Sequence, residues 1–221
     1  MGHSFAEKER LVMKEVHMVR WPLPVFVVLL AMIALTVPSQ AGILPAQSRP
    51  RGTSIDDMTL AIAKFQDTGN NLSFYPNTPF QILFVQDFNT GTGTFTVRPG
   101  TFFFIPLFSF NDSPPIIGDF PTNSSQVREY IFGATQIGAE DIEIEVDGQV
   151  TDLGPSYLSS LINTPGLPNG GSHTILLGAF LTPLPKGTHT VKIRETFAGD
   201  VIVALFGTTL FFEDVYTVIV Q

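Results

Sequence analysis

Residues 140–146 read Glu-Asp-Ile-Glu-Ile-Glu-Val, and Asp147-Gly148 follow. Side chains of a strand point alternately to its two faces. Ile142, Ile144 and Val146 therefore share one face, and Asp141, Glu143, Glu145 and Asp147 share the other. That alternation describes a half-buried strand, and Asp-Gly is a favoured pair for a tight hairpin turn. Similar texture lies on both sides. Residues 80–86 (FQILFVQ), 94–98 (TFTVR) and 101–108 (TFFFIPLF) come before it; 173–180, 188–197, 201–206 and 210–220 come after. The 101–108 run is almost wholly apolar, which predicts burial on both faces. Its Pro106 cannot donate to a ladder, so the strand ends there or lies at an edge or bulge. Many short strands between Gly- and Pro-rich turns predict a mainly β chain, a single-domain antiparallel β-sandwich of jelly-roll kind.

A parallel sheet would need a helix between most strands, and the sequence offers only two or three short ones. In residues 53–66, Ser54 can cap, Asp57 stands near the positive end of the helix dipole, and Ile55, Met58, Ile62 and Phe65 form one apolar stripe. This helix is expected to pack on its own domain. A second helix is expected over 123–137, capped by Ser124 or Ser125, although Gly133 weakens it. A third is expected over 155–162, with Pro155 in its first turn. Residues 111–122 and 163–172 read as loops.

Charged residues make up 14% of the 221-residue chain and apolar ones 44%, which excludes a disordered polyelectrolyte. The net charge of −8 opposes nucleic-acid binding, which needs clustered Lys and Arg. The chain has no Cys, so disulfides, thiolate metal sites and lipidated cysteines are excluded. Residues 1–41 read as a leader. A basic segment precedes the apolar run 25–37, and Ser39 and Ala41 supply a small-x-small site, the pattern of a secretory signal peptide. Cleavage near Ala41 predicts a secreted or periplasmic protein; a membrane anchor retained through 25–37 is the alternative, though the run is short for a span. Either Met1 or Met18 can serve as the start. Beyond residue 41 there remain eight basic and seventeen acidic residues, a balance of −9. Residues 42–52 (GILPAQSRPRG) read as a linker, and 53–221 as the β domain with its N-terminal helix.

No stretch carries a nucleophile elbow, a His-Glu-x-x-His helix or a phosphate loop. The segment from Glu143 to Gly148 imitates half of a calcium loop, but Gly154 stands where the bidentate Glu belongs. The row Asp141, Glu143, Glu145 and Asp147 is therefore read as a solvated face, with weak Ca2+ binding as the sharper alternative. Like charges in a row gain from cations alongside, so the strand carrying Lys192 and Arg194 is expected to be its neighbour. His189, on the face of Val191 and Ile193, is expected to bond the turn backbone. His173, beside Ser172 in a Gly-rich stretch, is expected to be more exposed. The phenylalanines at 102, 103, 104, 108, 206, 211 and 212 are expected in the core, with an apolar pocket as the alternative. No catalytic, cofactor-binding or metal-binding residue is assigned.

Four stretches resemble a family of uncharacterised exported bacterial β-sandwich proteins. Val97-Arg-Pro-Gly-Thr-Phe-Phe-Phe-Ile-Pro-Leu is similar to that family's Gly-x-x-x-Phe-x-Pro strand. Val146-Asp147-Gly148 is similar to its central turn. Leu184-Pro-Lys-Gly187-Thr-His189-Thr-Val191 resembles its Leu-x-x-Gly-x-His-x-Val stretch, and Asp214-Val-Tyr216-Thr-Val-Ile-Val resembles its closing strand. The resemblance covers about residues 80–221 and implies export and a β-sandwich, with no activity. Trp21 is the only Trp, so the aromatic-rich early segment of that family is missing. The expected function is a non-enzymatic extracytoplasmic binding or surface-associated module, whose partner is a glycan or cell-surface component. A carbohydrate-active hydrolase using a carboxylate pair, and a structural envelope component, are the alternatives.

Overall fold

Eleven consecutive residue pairs join the two longest strands, β8 (Gly187–Phe197) and β9 (Leu210–Val220), from Gly187 opposite Val220 to Phe197 opposite Leu210. They form the middle of a five-stranded sheet in a computed structural model that describes residues 42–221. On one side β8 pairs antiparallel with β4 (Ala139–Val146), which pairs with β5 (Gln149–Asp152) through a two-residue turn. Both turn residues have positive φ, Asp147 at 49° and Gly148 at 86°, the geometry of a type I′ hairpin. On the other side β9 pairs in parallel with β2 (Thr92–Val97). A four-stranded sheet holds β1 (Gln81–Ile82), β3 (Phe103–Asn111), β7 (His173–Leu181) and β6 (Ile162–Asn163) in that order.

Among the described residues the chain is therefore mainly β, with two mixed sheets and three α-helices, and the expectation of purely antiparallel sheets is corrected at two pairs. β1 runs parallel to β3, and β2 runs parallel to β9. The strand expected over 80–86 shrinks to β1. After Leu83, whose N–H still bonds to Phe104 O at 3.0 Å, the apolar run leaves the ladder, while Leu83 and Phe84 stay buried. In β3, Pro106 lies opposite Gly178 and the register shifts between Pro106 and Phe108. A bulge is how an interior strand accommodates a residue without an N–H. Gly178 is required for space, since a Cβ there would stand 2.7 Å from the Phe104 ring.

The first helix, α1 (Ile55–Asp67), forms as its cap predicts. The Ser54 side chain accepts from the Asp57 N–H at 3.1 Å, and the Asp57 carboxylate accepts from the Ser54 N–H at 2.8 Å. Met58, Ile62 and Phe65 are fully buried, and the helix packs on β6 and β7. One hydrophobic cluster takes in α1 and strands of both sheets. Each large side chain so buried contributes roughly 1.5–3 kcal/mol of transfer free energy.

Four local expectations change. Residues 201–206, read as a strand for their Val and Ile, form α3 (Asp200–Phe206), entered at Gly199 and stopped by Gly207 in the left-handed region. The end signals outweigh a six-residue β propensity, which is weak when tertiary context opposes it. The helix expected over 123–137 is a 3-10 turn followed by the short α2 (Val127–Phe132); Asn123 accepts from the Ser125 N–H in place of either serine cap, and the helix stops at Gly133. The helix expected over 155–162 is one 3-10 turn, Pro155–Tyr157. The stretch read as a linker, 42–52, belongs to the packed body: Leu44 donates to Phe180 O at 2.8 Å, its own carbonyl accepts from the Tyr157 hydroxyl, and Ile43 bridges to Leu181. The expectations for residues 1–41 lie outside the described residues. Among the described residues no helix is long and apolar enough to cross a membrane.

Candidate binding pocket

The inner face of β8 carries Val191, Ile193, Glu195 and Phe197, all buried. Pairing with β9 sets Glu195 opposite Phe212, Ile193 opposite Asp214 and Val191 opposite Tyr216. Strand alternation thus places a carboxyl where an aliphatic side chain is expected, diagonal to a second carboxyl on the next strand. Glu195 is only 8% exposed. Burial, with the nearby Asp214 charge, pushes its carboxyl up to about 8, and its Oε2 has no hydrogen-bond partner among the described residues. A buried carboxyl without a partner escapes the cost of burying its charge by holding its proton.

Glu195 lines a cavity of about 240 Å3 in which it is the one polar side chain. Phe108 and Phe110 reach it from β3, Phe197 from β8, Phe212 from β9 and Phe206 from α3. Ile117, Ile202 and Leu210 complete the wall. Phe197 is the hub of the rings, with centroids 5.1 Å from Phe108, 6.2 Å from Phe110 and 6.0 Å from Phe212, all in tilted or edge-on contact. The expectation that the late phenylalanines belong to the core is corrected here. Phe103 and Phe104 are fully buried, but Phe206, Phe211 and Phe212 are 54%, 63% and 46% exposed.

Asp214 faces a different space. With Tyr216, Gln66 and Phe84 it lines a neighbouring cavity of about 320 Å3, and Phe212 lines both. Burial raises the Asp214 carboxyl, against the Tyr216 hydroxyl that donates to it at 3.4 Å. Burial and the two carboxyls hold the Tyr216 phenol protonated.

No family model matches the chain, and no curated protein matches it. Among solved structures it is similar to one titled "Solution Structure of Amebosin", at 14% identity, over 65% of this chain and 100% of that one, with a TM-score of 0.24. A likeness that slight carries no argument, and the reading rests on the residues themselves.

The residues singled out from the sequence have other work. The acidic row is broken. A register shift between Glu140 and Glu143 gives Asp141 a positive φ of 49°, and Asp147 lies in the turn. Glu143 and Glu145 remain side by side, opposite Arg194 and Lys192 as expected. Arg194 reaches Glu143 at 3.4 Å, Glu145 at 3.2 Å and Glu213 at 2.8 Å; Lys192 reaches Glu145 at 3.9 Å. Such surface pairs contribute about 0–1 kcal/mol each. Among the described residues no group of three or more metal-ligating side chains is gathered.

His189 bonds the turn, as expected: Nε2 donates to Pro185 O at 2.9 Å and Nδ1 lies 2.7 Å from Asp147 Oδ2. Burial lowers its basicity, but the Asp147 carboxylate and the Pro185 carbonyl outweigh that and raise it. Asp147 Oδ1 also accepts from the Thr190 N–H at 2.9 Å. Two of the quoted stretches, Val146-Asp147-Gly148 and Gly187-Thr-His189, are thus one structural clasp.

Asp112, Ser172 and His173 resemble a nucleophile triad by composition only. His173 Nδ1 is 2.8 Å from Asp112 Oδ2 and 3.0 Å from Ser172 Oγ. In a working triad the acid and the nucleophile occupy opposite ring nitrogens; here they share one, so proton relay has no path. Asp112 instead ties β3 to the start of β7, accepting from the backbone N–H of Ser172 at 2.6 Å and of His173 at 2.8 Å.

Proposed function

We propose that this protein is a non-enzymatic binding module that works outside the cytoplasm, with its two sheets layered as a sandwich and a small apolar molecule seated where one end of the layers opens. One observation carries the reading: a cavity of about 240 Å3 walled by five phenylalanines and three aliphatic side chains, with two of the rings, Phe206 and Phe212, about half exposed. Exposed aromatic surface beside a formed apolar cavity is costly in water and marks ligand sites. The leader pattern of residues 1–41 supports export, and Phe108 of one sheet meeting Phe197 of the other at 5.1 Å supports the layering.

The carboxylate-pair hydrolase is less well supported. A glycosidase needs both carboxyls flanking one bond in one cleft, whereas Glu195 and Asp214 line separate cavities. Beyond the single Glu195 carboxyl, the cavity wall offers no side-chain hydrogen-bonding group for a sugar's many hydroxyls, which disfavours a glycan as its occupant.

The test is an NMR titration of the protein with 2-phenylethanol, alongside a Leu210→Trp variant that fills the cavity. Saturable shifts around Phe197 and Phe212, lost in the variant, are expected. Absence of saturable binding, or binding that ignores the added indole, would refute the pocket. Sequencing the N-terminus of the matured protein is expected to give Gly42 first.

A further inference from the structure

We propose that the pocket's ligand is a small apolar amine, held as its ammonium ion between the Glu195 carboxylate and the phenylalanine rings. The inference rests on the binding reading above and adds the chemistry of the ligand. Three observations converge. Glu195 is the one polar side chain in the wall and is more than nine-tenths buried. Its Oε2 has no hydrogen-bond partner among the described residues. Five of the other eight lining side chains are rings, those of Phe108, Phe110, Phe197, Phe206 and Phe212.

Ring faces are negative and attract cations, and a buried carboxylate gains most from a donor that brings positive charge. An ammonium satisfies both, while its hydrocarbon part takes the apolar wall. An anionic ligand would meet the Glu195 carboxyl, with the charge of Asp214 close behind it on β9. The nearby cation cannot substitute for the ligand. Arg194 alternates to the opposite face, where Glu143, Glu145 and Glu213 hold it.

Proton linkage makes the inference testable. The groups facing Glu195 from β9 are Asp214 and Tyr216. From β3, α3 and the stretch before α2 the facing side chains are Phe108, Phe110, Ile117, Ile202 and Phe206, all uncharged. On β4, Ala139 and Ile142 are buried, and Glu140 and Asp141 are exposed. The free protein keeps Glu195 protonated up to about pH 8. Binding an ammonium expels that proton, so affinity rises by up to about tenfold per pH unit below that point and levels above it. An uncharged ligand shows no such rise.

Isothermal titration with phenethylammonium and with uncharged 2-phenylethanol, at pH 6.0, 7.0 and 7.5, separates the two ideas. The amine is expected to bind about tenfold tighter than the alcohol at pH 7.5, to tighten with pH, and to release a proton that shows as a buffer-dependent heat. Glu195→Gln should abolish both the amine's advantage over the alcohol and its tightening with pH. Equal affinity for both ligands, or amine binding that is flat with pH, would overturn the ammonium and leave the apolar pocket standing. Failure of both ligands to bind would remove the pocket as well.

Discussion

Replacing Glu195 by Gln should change how stability depends on pH. In the unfolded chain a Glu carboxyl ionises near 4.5, while in the folded protein burial pushes that of Glu195 to about 8. Below the lower value both states are protonated and nothing is lost. Between the two, the unfolded state gives up its proton and the folded state does not, so unfolding becomes easier as pH rises. Each pH unit costs about 1.4 kcal/mol, and the whole window costs roughly 5 kcal/mol before the curve levels above about pH 8. That is a large part of the 5–15 kcal/mol by which domains are typically stable. Urea denaturation at pH 5, 6, 7 and 8 reads it directly. The wild-type midpoint should fall steadily across this series, and the Glu195→Gln series should fall less, keeping the slopes that His189 and Asp214 contribute, and lie higher at pH 8. The Gln amide keeps a buried polar group and forfeits about 1–3 kcal/mol of the gain if it finds no partner. Parallel pH profiles for the two proteins would refute the claim that Glu195 sits protonated in the wall.

Three other outcomes follow from the geometry. Asp112 is held down to about 2; burial opposes this, and the bonds from His173 and Ser172 outweigh it. Its stabilisation is therefore complete above about pH 4 and is lost as pH falls toward 2, and Asp112→Asn should lose roughly 2 kcal/mol at pH 7 in urea melts. His189 is raised, so its stabilisation is full below about pH 6.5 and is lost as pH rises through the folded value; Asp147→Asn should destabilise most at pH 5–6, and the two proteins should converge toward pH 9. Millimolar calcium should leave the melting temperature unchanged, because Glu143 and Glu145 are already paired with Arg194 and Lys192.

The sheets were legible where alternation was long. The strands around Val191 and Val218, the Asp147-Gly148 turn and the pairing of Lys192 and Arg194 with the acidic strand follow from period two and charge alone. The parallel pairs were not legible, because β2 joins β9 across more than a hundred residues and local pattern holds no information about such a partner. Residues 201–206 misled because six apolar residues are too few to separate period two from 3.6; only Gly199 and Gly207 mark the helix. Glu195 could have been found. Counting on from Val191 and Ile193 puts it on the buried face, and a carboxylate on an apolar face is the informative exception. What it lines was beyond reach, since Phe108 and Phe206 come to it from distant parts of the chain.

β9 is the last strand in sequence, yet it sits between β2 and β8. While the chain is being synthesised, both of those strands must wait with bare edges until residues 210–220 emerge. Bare edges recruit other chains, so this sheet closes late and all at once.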